Sequence, residues 1–358
     1  MPGLIGRAVA RVYGAVVARR NAAFDAGKGV VEIDRPVISV GNLSVGGTGK
    51  TPMVAHLVEV LRAAGRRPAI AMRGYGARRG EESDEARLYR DRFSEVPVVA
   101  RPDRLEGLIE LFATEAGEAV NVVVLDDGFQ HRRLARTLDI VLVDATGELE
   151  RGGLLPAGWL REPPESLRRA GAVVLTHAGR VSAERLREAE RGVMRAAGRA
   201  PVAACSHVWS GLDVLERGAW REEPAGWLRG KRAAAACAIG RPESFLAEVA
   251  RASGTAPVLT FVRRDHDPYD VPTIATLLEQ TARSGAEVLV VTAKDWVKLR
   301  RVKAGAWPCA VAVPRLGLEF VYGREALEGL VVEAAREMEG EEAAEGEDGQ
   351  AGDDEVVQ

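Results

Sequence analysis

A glycine-rich segment between an apolar run and a helical pattern most constrains the fold of this chain of 358 residues. Residues 44–51 read Ser-Val-Gly-Gly-Thr-Gly-Lys-Thr and follow the β-branched run Pro36–Val40. Glycines permit positive φ and close approach to an anion, and successive N–H groups at a helix start attract phosphate. The predicted nucleotide site consists of Ser44, Val45, Gly46, Gly47, Thr48, Gly49, Lys50 and Thr51.

The last two residues of this segment have the chemistry of a phosphate-binding loop. Lys50 can reach the terminal phosphates of a nucleotide, and the Thr51 hydroxyl can hold Mg²⁺. The usual pattern begins with Gly, and this chain has Ser44 there instead. The alternative interpretation is a strand-to-helix turn that is glycine-rich by chance.

Apolar runs alternate with helical patterns through the first two hundred residues. This alternation predicts an α/β fold of the P-loop NTPase type, with a mostly parallel sheet and helices on both faces. The strands predicted for this region are Pro36–Val40, Ala69–Met72, Val98–Ala100, Val122–Leu125, Ile140–Val143 and Val173–Leu175. Val98–Ala100 is short and follows Pro97, a residue type that is tolerated only at the start of a strand or at an edge of the sheet. A second, smaller α/β region has predicted strands at Ala233–Ile239, Val258–Val262, Val288–Val291 and Ala310–Val313.

Two adjacent carboxylates, Asp126 and Asp127, directly follow the predicted strand Val122–Leu125. A P-loop enzyme needs oxygen ligands for Mg²⁺ at this place, and two neighbouring carboxylates repel each other unless a cation or strong donors lie near. Together with Thr51 they are our candidate metal ligands, and a solvated turn is the alternative. Nearby His131 is a candidate for substrate binding, although a single His beside a strand end is more often a structural hydrogen-bonding group.

Basic residues follow two further predicted strands, at the sheet edge where open α/β sheets bind ligands. The candidates for binding an anionic substrate here are Arg73, Tyr75, Arg101 and Arg104. Each arginine can clamp a phosphate, and each could equally be a solvated loop charge. By composition alone, Ser83-Asp84-Glu85 between these clusters belongs to a charged loop.

The N-terminal segment, residues 3–24, combines apolar residues at helical spacing with arginines as its only charges. Its apolar run is interrupted too often to span a bilayer, which needs about 20 apolar residues. It also lacks the unbroken apolar core and cleavage site of a secretory signal. A basic amphipathic helix on a membrane surface and a helix packed on the protein's own core are both open interpretations.

The net charge of −3 hides an asymmetry between the body of the chain and its end. Glu337–Gln358 carries ten acidic residues and no basic one, which leaves 42 acidic against 49 basic residues elsewhere, or about +7. A basic body suits an anionic substrate or membrane, and the low-complexity acidic tail is predicted to be disordered. The three widely spaced cysteines show neither a disulfide framework nor a zinc site.

Several longer motifs together resemble one family. They are Val-Ile-Ser-Val-Gly-Asn-Leu-Ser-Val-Gly-Gly-Thr-Gly-Lys-Thr-Pro at 37–52, Arg-Gly-Tyr-Gly at 73–76, Asp-Asp-Gly-Phe-Gln-His-Arg at 126–132, Leu-Leu-Pro-Ala-Gly-Trp-Leu-Arg-Glu-Pro at 154–163, Asp-His at 265–266 and Thr-Ala-Lys-Asp at 292–295. From about residue 12 to about residue 300, the chain resembles the tetraacyldisaccharide 4′-kinases, the lipid A 4′-kinases of Gram-negative bacteria. That family also lacks the first glycine of the loop, so Ser44 agrees with it.

The resemblance implies roles that the residue patterns alone do not. It implies transfer of the γ-phosphate of ATP, with Mg²⁺, to the 4′-hydroxyl of an acylated glucosamine disaccharide 1-phosphate, which forms lipid IVA. Asp84 matches the general base of the family's Gly-Asp-Glu motif, with Ser83 in place of the Gly. His266 matches the His that pairs with this base, and an Asp with a pKa near 4 gains from such a partner. Lys50 completes the catalytic candidates, and Asp267 stands where the family often has a second His.

The predicted organisation has four parts. We expect an amphipathic membrane-surface helix over 1–28, a P-loop kinase domain over 29–206, a smaller α/β domain over 207–335 that closes the cleft, and an acidic disordered tail over 336–358. The lipid substrate favours the membrane-surface interpretation of residues 3–24 and implies a peripheral location at the cytoplasmic face of the bacterial inner membrane. We expect no nucleic acid among the partners. A P-loop GTPase or ATPase switch and a membrane-associated nucleotide-binding scaffold are the alternative functions.

Overall fold

The computed structural model describes residues 4–74, 83–147, 149, 153–265 and 267–336, with Leu4 and Ile5 described by their backbone only. The chain forms two compact units. The first consists of the residues up to Ser206 together with those from Glu319 onward, and the second is His207–Leu318. Tyr75, His266 and the acidic segment from Glu337 onward lie outside the described residues.

The elements of the described chain are numbered here in chain order. The strands are β1 (Val37–Asn42), β2 (Pro68–Met72), β3 (Val98–Ala100), β4 (Val122–Asp126), β5 (Leu138–Asp144), β6 (Ala172–Thr176), β7 (Ala203–Glu216), β8 (Ala219–Glu223), β9 (Ala233–Cys237), β10 (Leu259–Val262), β11 (Val288–Val291) and β12 (Ala310–Tyr322). The helices are α1 (Leu4–Asp25), α2 (Lys50–Ala63), α3 (Asp84–Arg92), α4 (Arg104–Phe112), α5 (Glu115–Glu118), α6 (Ala183–Ala197), α7 (Pro242–Ser253), α8 (Val271–Ser284), α9 (Ala293–Leu299) and α10 (Arg324–Ala334).

The first unit is built on a parallel sheet that brings the carboxyl ends of its strands to one edge. Neighbouring strands follow the order β3-β2-β4-β1-β5-β6-β7, and β7 takes part through its first residues. Val40 of β1 pairs with Asp126 of β4 on one side and with Ile140 of β5 on the other. The glycine-rich loop after β1 therefore leaves the sheet beside the two carboxylates at the end of β4.

Burial on both faces explains why these strands are almost entirely apolar. Residues of β4 and β5 such as Val123 and Val141 enter clusters that include residues of α4 and α6. The alternate residues, such as Ile38 and Val124, are fully buried as well, so both faces of the sheet are covered. All six strands predicted for this region are present, and β3 is the edge strand that Pro97 indicated.

Two expectations about local structure are wrong. The segment that starts at Ser83 is not a loop, because residues 84–92 form α3. The Ser83 hydroxyl accepts a hydrogen bond of 3.3 Å from the Ala86 N–H, which satisfies one of the free donors at the helix start. The expected strands also omit β7 and β8, because β7 mixes small and polar residues, such as Ser206 and His207, without a clear period of two.

The N-terminal helix α1 has one attached face and one exposed face. Val17 is buried, whereas Val9, Val12 and Val16 are 47%, 66% and 62% exposed. Within the described residues, no helix combines the length and the apolar content that a membrane crossing would need. One face of α1 therefore packs on the protein's own core, and the exposed valines lie on the other face.

The second unit is also α/β. Its strands β10-β9-β11-β12 lie parallel in that order, and β7 and β8 form an antiparallel pair. Alternate residues of β9 enter two different clusters: Ala235 packs with Phe245 of α7, and Ala236 packs with Leu277 of α8. This alternation places apolar side chains on both faces of the second sheet.

Candidate active site

The glycine-rich loop has the backbone that its sequence requires. Gly46 and Gly49 have φ values of 131° and 90°, a region that side chains with a Cβ rarely adopt. Gly47 does not have a φ in this region, and a Cβ built on it would meet no described protein atom within 4 Å. The space next to Gly47 is therefore open to a ligand that approaches the backbone amides.

The beginning of the loop is held by neighbouring segments. The Asn42 side-chain amide donates to the Ser44 carbonyl at 2.9 Å, and Ser44 forms an antiparallel bridge with Leu160. The Val45 N–H donates to the Trp159 carbonyl at 2.8 Å. Ser44 thus has strand-like pairing, which explains why a glycine is not needed at this position.

One hydroxyl in the loop is available to a ligand. Thr48 is 3% exposed, and its Oγ1 finds no hydrogen-bond partner within the described part of the chain. A buried hydroxyl without a partner is costly. Bound phosphate would supply an acceptor for it.

Lys50, at the first position of α2, lies between two groups of the sheet edge. Its Nζ donates to Asn42 Oδ1 at 3.2 Å and lies 3.4 Å from Asp127 Oδ1. Arg161 Nη1 contacts both oxygens of the same carboxylate, at 2.9 and 2.8 Å. Burial alone would raise the pKa of Asp127, but Lys50 and Arg161 outweigh it and hold that pKa below its ordinary value.

Asp126 has a different environment from its neighbour. It is 4% exposed, and its Oδ2 accepts a hydrogen bond of 3.0 Å from the Tyr89 hydroxyl. Burial and the nearby Glu85 raise the pKa of Asp126 to about 6, although Lys50 acts in the opposite direction. The protein therefore compensates the charge of Asp126 less completely than that of Asp127.

The residues at this edge are chemically suitable for Mg²⁺. The Thr51 hydroxyl and the Asp126 carboxylate are hard oxygen donors, and an incompletely compensated carboxylate favours a cation beside it. The described residues contain no group of three or more His, Cys, Asp or Glu that could hold a metal by itself. Magnesium in nucleotide sites commonly takes one or two protein carboxylates and completes its shell with phosphates and water. The donor set fits that arrangement.

Asp84 lies at the first position of α3, next to Glu85, which is close enough to Asp126 to raise the pKa of that carboxyl after the larger effect of burial. Asp84 is partly buried, and the preceding Ser83 is buried and caps the helix. The Ser83 hydroxyl supplies a hydrogen bond that the glycine of the family motif could not make. Asp84 is therefore presented from a helix start, where the partial positive charge of the helix favours an anion.

Two of the predicted substrate-binding residues lie against the turn that follows β4. Arg104 is 4% exposed, and its Nη2 donates to the carbonyls of Asp126 and Asp127 at 3.1 and 3.2 Å. Burial, Arg104 and Arg136 lower the pKa of His131 to about 4, so its imidazole is neutral at pH 7. Arg104 thus supports the carboxylate turn directly.

The other predicted substrate-binding residues have different positions. Arg73 follows β2, is exposed, and lies close enough to Arg104 to lower the pKa of that residue, after the larger effect of burial. Arg101 follows β3, but its guanidinium lies 2.5 Å from Glu110 of α4. It is therefore paired with that residue and not with the carboxylates of Asp126 and Asp127. Tyr75 is outside the described residues.

The N-terminal helix contacts the segment that carries Arg161. The Tyr13 hydroxyl donates to the Arg161 carbonyl at 3.0 Å, and the Asn21 side chain donates to Glu162 Oε2 at 2.7 Å. Glu162 is completely buried and is also paired with Arg169 at 2.9 Å. The position of α1 is therefore coupled to the side chain that holds Asp127.

In the second unit, Asp267 has a structural role in the loop that follows β10. Its Oδ1 accepts a hydrogen bond of 2.8 Å from the Tyr269 N–H, and its Oδ2 lies 3.3 Å from Arg263 Nε. Tyr269 is fully buried with a positive φ of 51°, which this turn stabilises. The replacement of the family's second His by Asp267 is therefore accommodated within the loop.

Sequence reasoning missed several residues of this site. Arg161 stands inside a recognised motif, but its contact with Asp127 joins positions 34 residues apart. Gln130, whose Nε2 donates to the Asn42 carbonyl at 3.0 Å, also lies in a recognised motif. No sequence pattern indicated a role for Tyr89, because one tyrosine in a charged segment does not show which strand it will contact.

The sequence profile of the family described as tetraacyldisaccharide-1-P 4′-kinase matches residues 4–333. The chain belongs to this kinase family. A tetraacyldisaccharide 4′-kinase from Anaeromyxobacter dehalogenans (strain 2CP-C) is 39% identical over 338 residues, which cover 88% of this chain and 86% of that protein. One from Geobacter metallireducens is 39% identical over 305 residues and covers 80% of this chain and 86% of its own length.

A solved structure is similar as well. The crystal structure of the "apo" form of LpxK from Aquifex aeolicus in complex with ATP has a TM-score of 0.68 and 27% sequence identity, and it covers 91% of this chain and 97% of that chain. Together these similarities confirm the α/β fold and the kinase activity that the sequence motifs indicated, and the similar solved structure is a complex with ATP.

Proposed function

We propose that this kinase phosphorylates the 4′-hydroxyl of a tetraacyldisaccharide 1-phosphate at the sheet edge of the first unit. One contact carries the proposal. The hydrogen bond between Tyr89 and Asp126 holds α3 against the end of β4. Asp84, just over one turn earlier on α3, is thereby presented on the same edge as Lys50.

The nucleotide binds along the glycine-rich loop. The loop amides and the Thr48 hydroxyl receive the phosphates, and Lys50 exchanges its contact with Asp127 for the terminal phosphate. Arg161 stays on Asp127 and keeps that carboxylate neutralised when Lys50 leaves. These donors stabilise the charge that develops on the transferring phosphoryl group.

Thr51 and Asp126 are the residues that would hold Mg²⁺. Asp127 is already paired with two cationic side chains, whereas within the described residues the partner of the Asp126 carboxylate is the Tyr89 phenol. The metal would supply charge neutralisation across the β- and γ-phosphates.

Asp84 acts as the general base. The 4′-oxygen forms a bond to the γ-phosphorus, the bond between that phosphorus and the bridging oxygen breaks, and ADP leaves with the electron pair. The proton of the 4′-hydroxyl passes to the Asp84 carboxylate. His266, which the resemblance pairs with this base, would orient it and share the proton.

The anionic lipid headgroup binds beside this site. Arg73 is exposed at the end of β2 and is the best-placed group for the 1-phosphate. Tyr75 follows it in the chain, while Arg101 would have to leave Glu110 to take part. Arg104 contributes by holding the turn of Asp126 and Asp127, and His131 follows this turn, where its backbone N–H donates to the Gly128 carbonyl at 2.8 Å.

The protein works at a membrane surface, peripherally at the cytoplasmic face of the bacterial inner membrane, where both ATP and an acylated substrate are accessible. The exposed valines of α1, flanked by arginines, suit an anionic bilayer. Tyr13 and Asn21 on the attached face connect this helix to the segment of Arg161. Binding of α1 to a bilayer would thus bring the site to the lipid.

The destination of a labelled phosphate tests the proposal. The full chain is incubated with γ-labelled ATP, Mg²⁺ and tetraacyldisaccharide 1-phosphate in detergent micelles. Label on the 4′-oxygen of the lipid supports the kinase. Label found only in free phosphate would indicate a hydrolysing switch, and no turnover by folded protein would indicate a scaffold.

A further inference from the structure

Tyr89 of α3 is almost fully buried, although it carries a polar group. It is 1% exposed, and a phenol hydroxyl at such depth is costly unless it is hydrogen-bonded. Its hydroxyl donates to Asp126 Oδ2 at 3.0 Å, and the Thr51 side chain hydrogen-bonds to the same hydroxyl. One phenol thus joins three segments: the middle of α3, the end of β4 and the first turn of α2.

The two partners of this phenol are the two residues that we assign to the cation. Because Tyr89 occupies Oδ2 of Asp126, the carboxylate keeps Oδ1 for another ligand. A threonine hydroxyl that gives its proton to the phenol keeps its lone pairs. The phenol therefore leaves Oδ1 of Asp126 and the lone pairs of the Thr51 hydroxyl for a shared cation.

The same contact fixes the helix that carries Asp84. Tyr89 lies five residues after Asp84 and four residues after Glu85 on α3. Arg90 and Arg92 attach the C-terminal end of α3 to the Val98 carbonyl of β3 and to Glu59 of α2, at 2.8 and 2.7 Å, whereas the Tyr89 hydroxyl attaches the middle of the helix to Asp126. A hydrogen bond to a charged acceptor gives a more directional attachment than apolar packing does.

We propose that Tyr89 is a positioning residue: its hydroxyl sets Asp126 and Thr51 for a divalent cation and aligns α3 with them. The proposal rests on the proposed function, since it assigns Asp126 and Thr51 to the metal. Tyr89 touches neither substrate nor metal and acts only through these partners. The loss of its hydroxyl therefore weakens cation binding, and any effect on the transfer rate follows from this weaker binding.

Tyr89→Phe removes the hydroxyl and keeps the ring. The matched control is Tyr322→Phe, because Tyr322 is a partly buried tyrosine of the same unit whose hydroxyl hydrogen-bonds to Glu190 instead. Mn²⁺ binding to the full chain in the presence of ADP is measured by electron paramagnetic resonance, together with thermal unfolding without metal. Loss of a group that orients a metal ligand weakens metal binding by about 10- to 100-fold.

We expect Tyr89→Phe to bind Mn²⁺ about 10-fold or more weakly, and Tyr322→Phe to bind it like the unaltered chain. The Mg²⁺ concentration for half-maximal transfer rises in Tyr89→Phe, and saturating Mg²⁺ restores most of kcat. In an Asp126→Asn background, Tyr89→Phe has little further effect on Mn²⁺ binding, because the hydroxyl acts through that carboxylate. If Tyr89→Phe does not fold, Tyr89→Met, whose long flexible side chain adapts to irregular core space, is measured instead.

Unchanged Mn²⁺ affinity in a folded Tyr89 variant would overturn the proposal, and so would an additive effect in the Asp126→Asn background. The proposed function fails in a distinguishable way. In that case the unaltered chain itself transfers no label to the lipid, whatever the behaviour of Tyr89→Phe.

Discussion

Lys50 Nζ lies 3.4 Å from Asp127 Oδ1, so the lysine of the phosphate-binding loop pairs with the carboxylate that follows β4. In the proposed reaction, the terminal phosphate of ATP takes the place of this carboxylate as the partner of Lys50. Arg161 holds the same carboxylate at 2.8 Å and prevents it from being left buried and unpaired. The Lys50–Asp127 pair thus keeps a cationic side chain ready for an anion, while the pair itself has no net charge.

Asp127→Asn should increase the affinity for ATP when no metal is present, because Lys50 then has no competing carboxylate. We expect a several-fold lower dissociation constant for a fluorescent ATP analogue in EDTA. Asp91→Asn, on the exposed side of α3, is the control for loss of one negative charge. Weaker binding by Asp127→Asn without metal would contradict this account of the pair.

The two faces of α1 should have separable effects. Val9→Ser, Val12→Ser and Val16→Ser together remove exposed apolar groups, so we expect lower binding to anionic vesicles with normal transfer in detergent micelles. Tyr13→Phe removes the hydrogen bond to Arg161, so we expect normal vesicle binding and slower transfer. Vesicle sedimentation and micellar assays distinguish these results, and equal vesicle binding by the triple variant would refute the surface role.

Ser83→Ala should destabilise the start of α3 and lower activity. The loss of the cap costs about 1 kcal/mol, whereas Ser83→Gly costs only a few tenths of a kcal/mol. We therefore expect Ser83→Gly, which restores the glycine of the family motif, to retain more stability than Ser83→Ala in urea unfolding. Stability of both variants equal to that of the unaltered chain would show that the hydrogen bond to Ala86 contributes little.

The partly buried imidazole of His131 should make the stability depend on pH. Its folded pKa of about 4 lies below the ordinary 6.5, because of burial and the nearby arginines. Between these values the unfolded chain binds a proton that the folded chain does not, so stability falls as the pH is lowered from 6.5 towards 4. As the pH is lowered through this window, the thermal midpoint of His131→Gln should rise relative to that of the unaltered chain. Above pH 6.5, the difference between the two thermal midpoints should be constant. A constant difference at every pH would contradict the assignment.

The sequence predicts the parts of the site that depend on local pattern. The strand, the glycine-rich turn and the following helix with Lys50 are neighbours in the chain, and Asp126 directly ends an apolar strand. The structure adds what depends on distant contacts: Arg161 on Asp127, Tyr89 on Asp126, and Glu110 holding Arg101 away from the cluster. The capped start of α3 was missed because charged composition resembles a loop when the partner of Tyr89 is unknown.

The base at Asp84 is the central claim, and a single-turnover measurement tests it most directly. Label transfer from γ-labelled ATP to the lipid is followed for Asp84→Asn and for Asp91→Asn on the same helix, with the affinity for ATP measured in parallel. Loss of a general base lowers the rate by about 100- to 10,000-fold. The account predicts a loss of this size for Asp84→Asn with unchanged ATP affinity and a normal rate for Asp91→Asn. A rate within a few-fold of the unaltered chain in Asp84→Asn would contradict it.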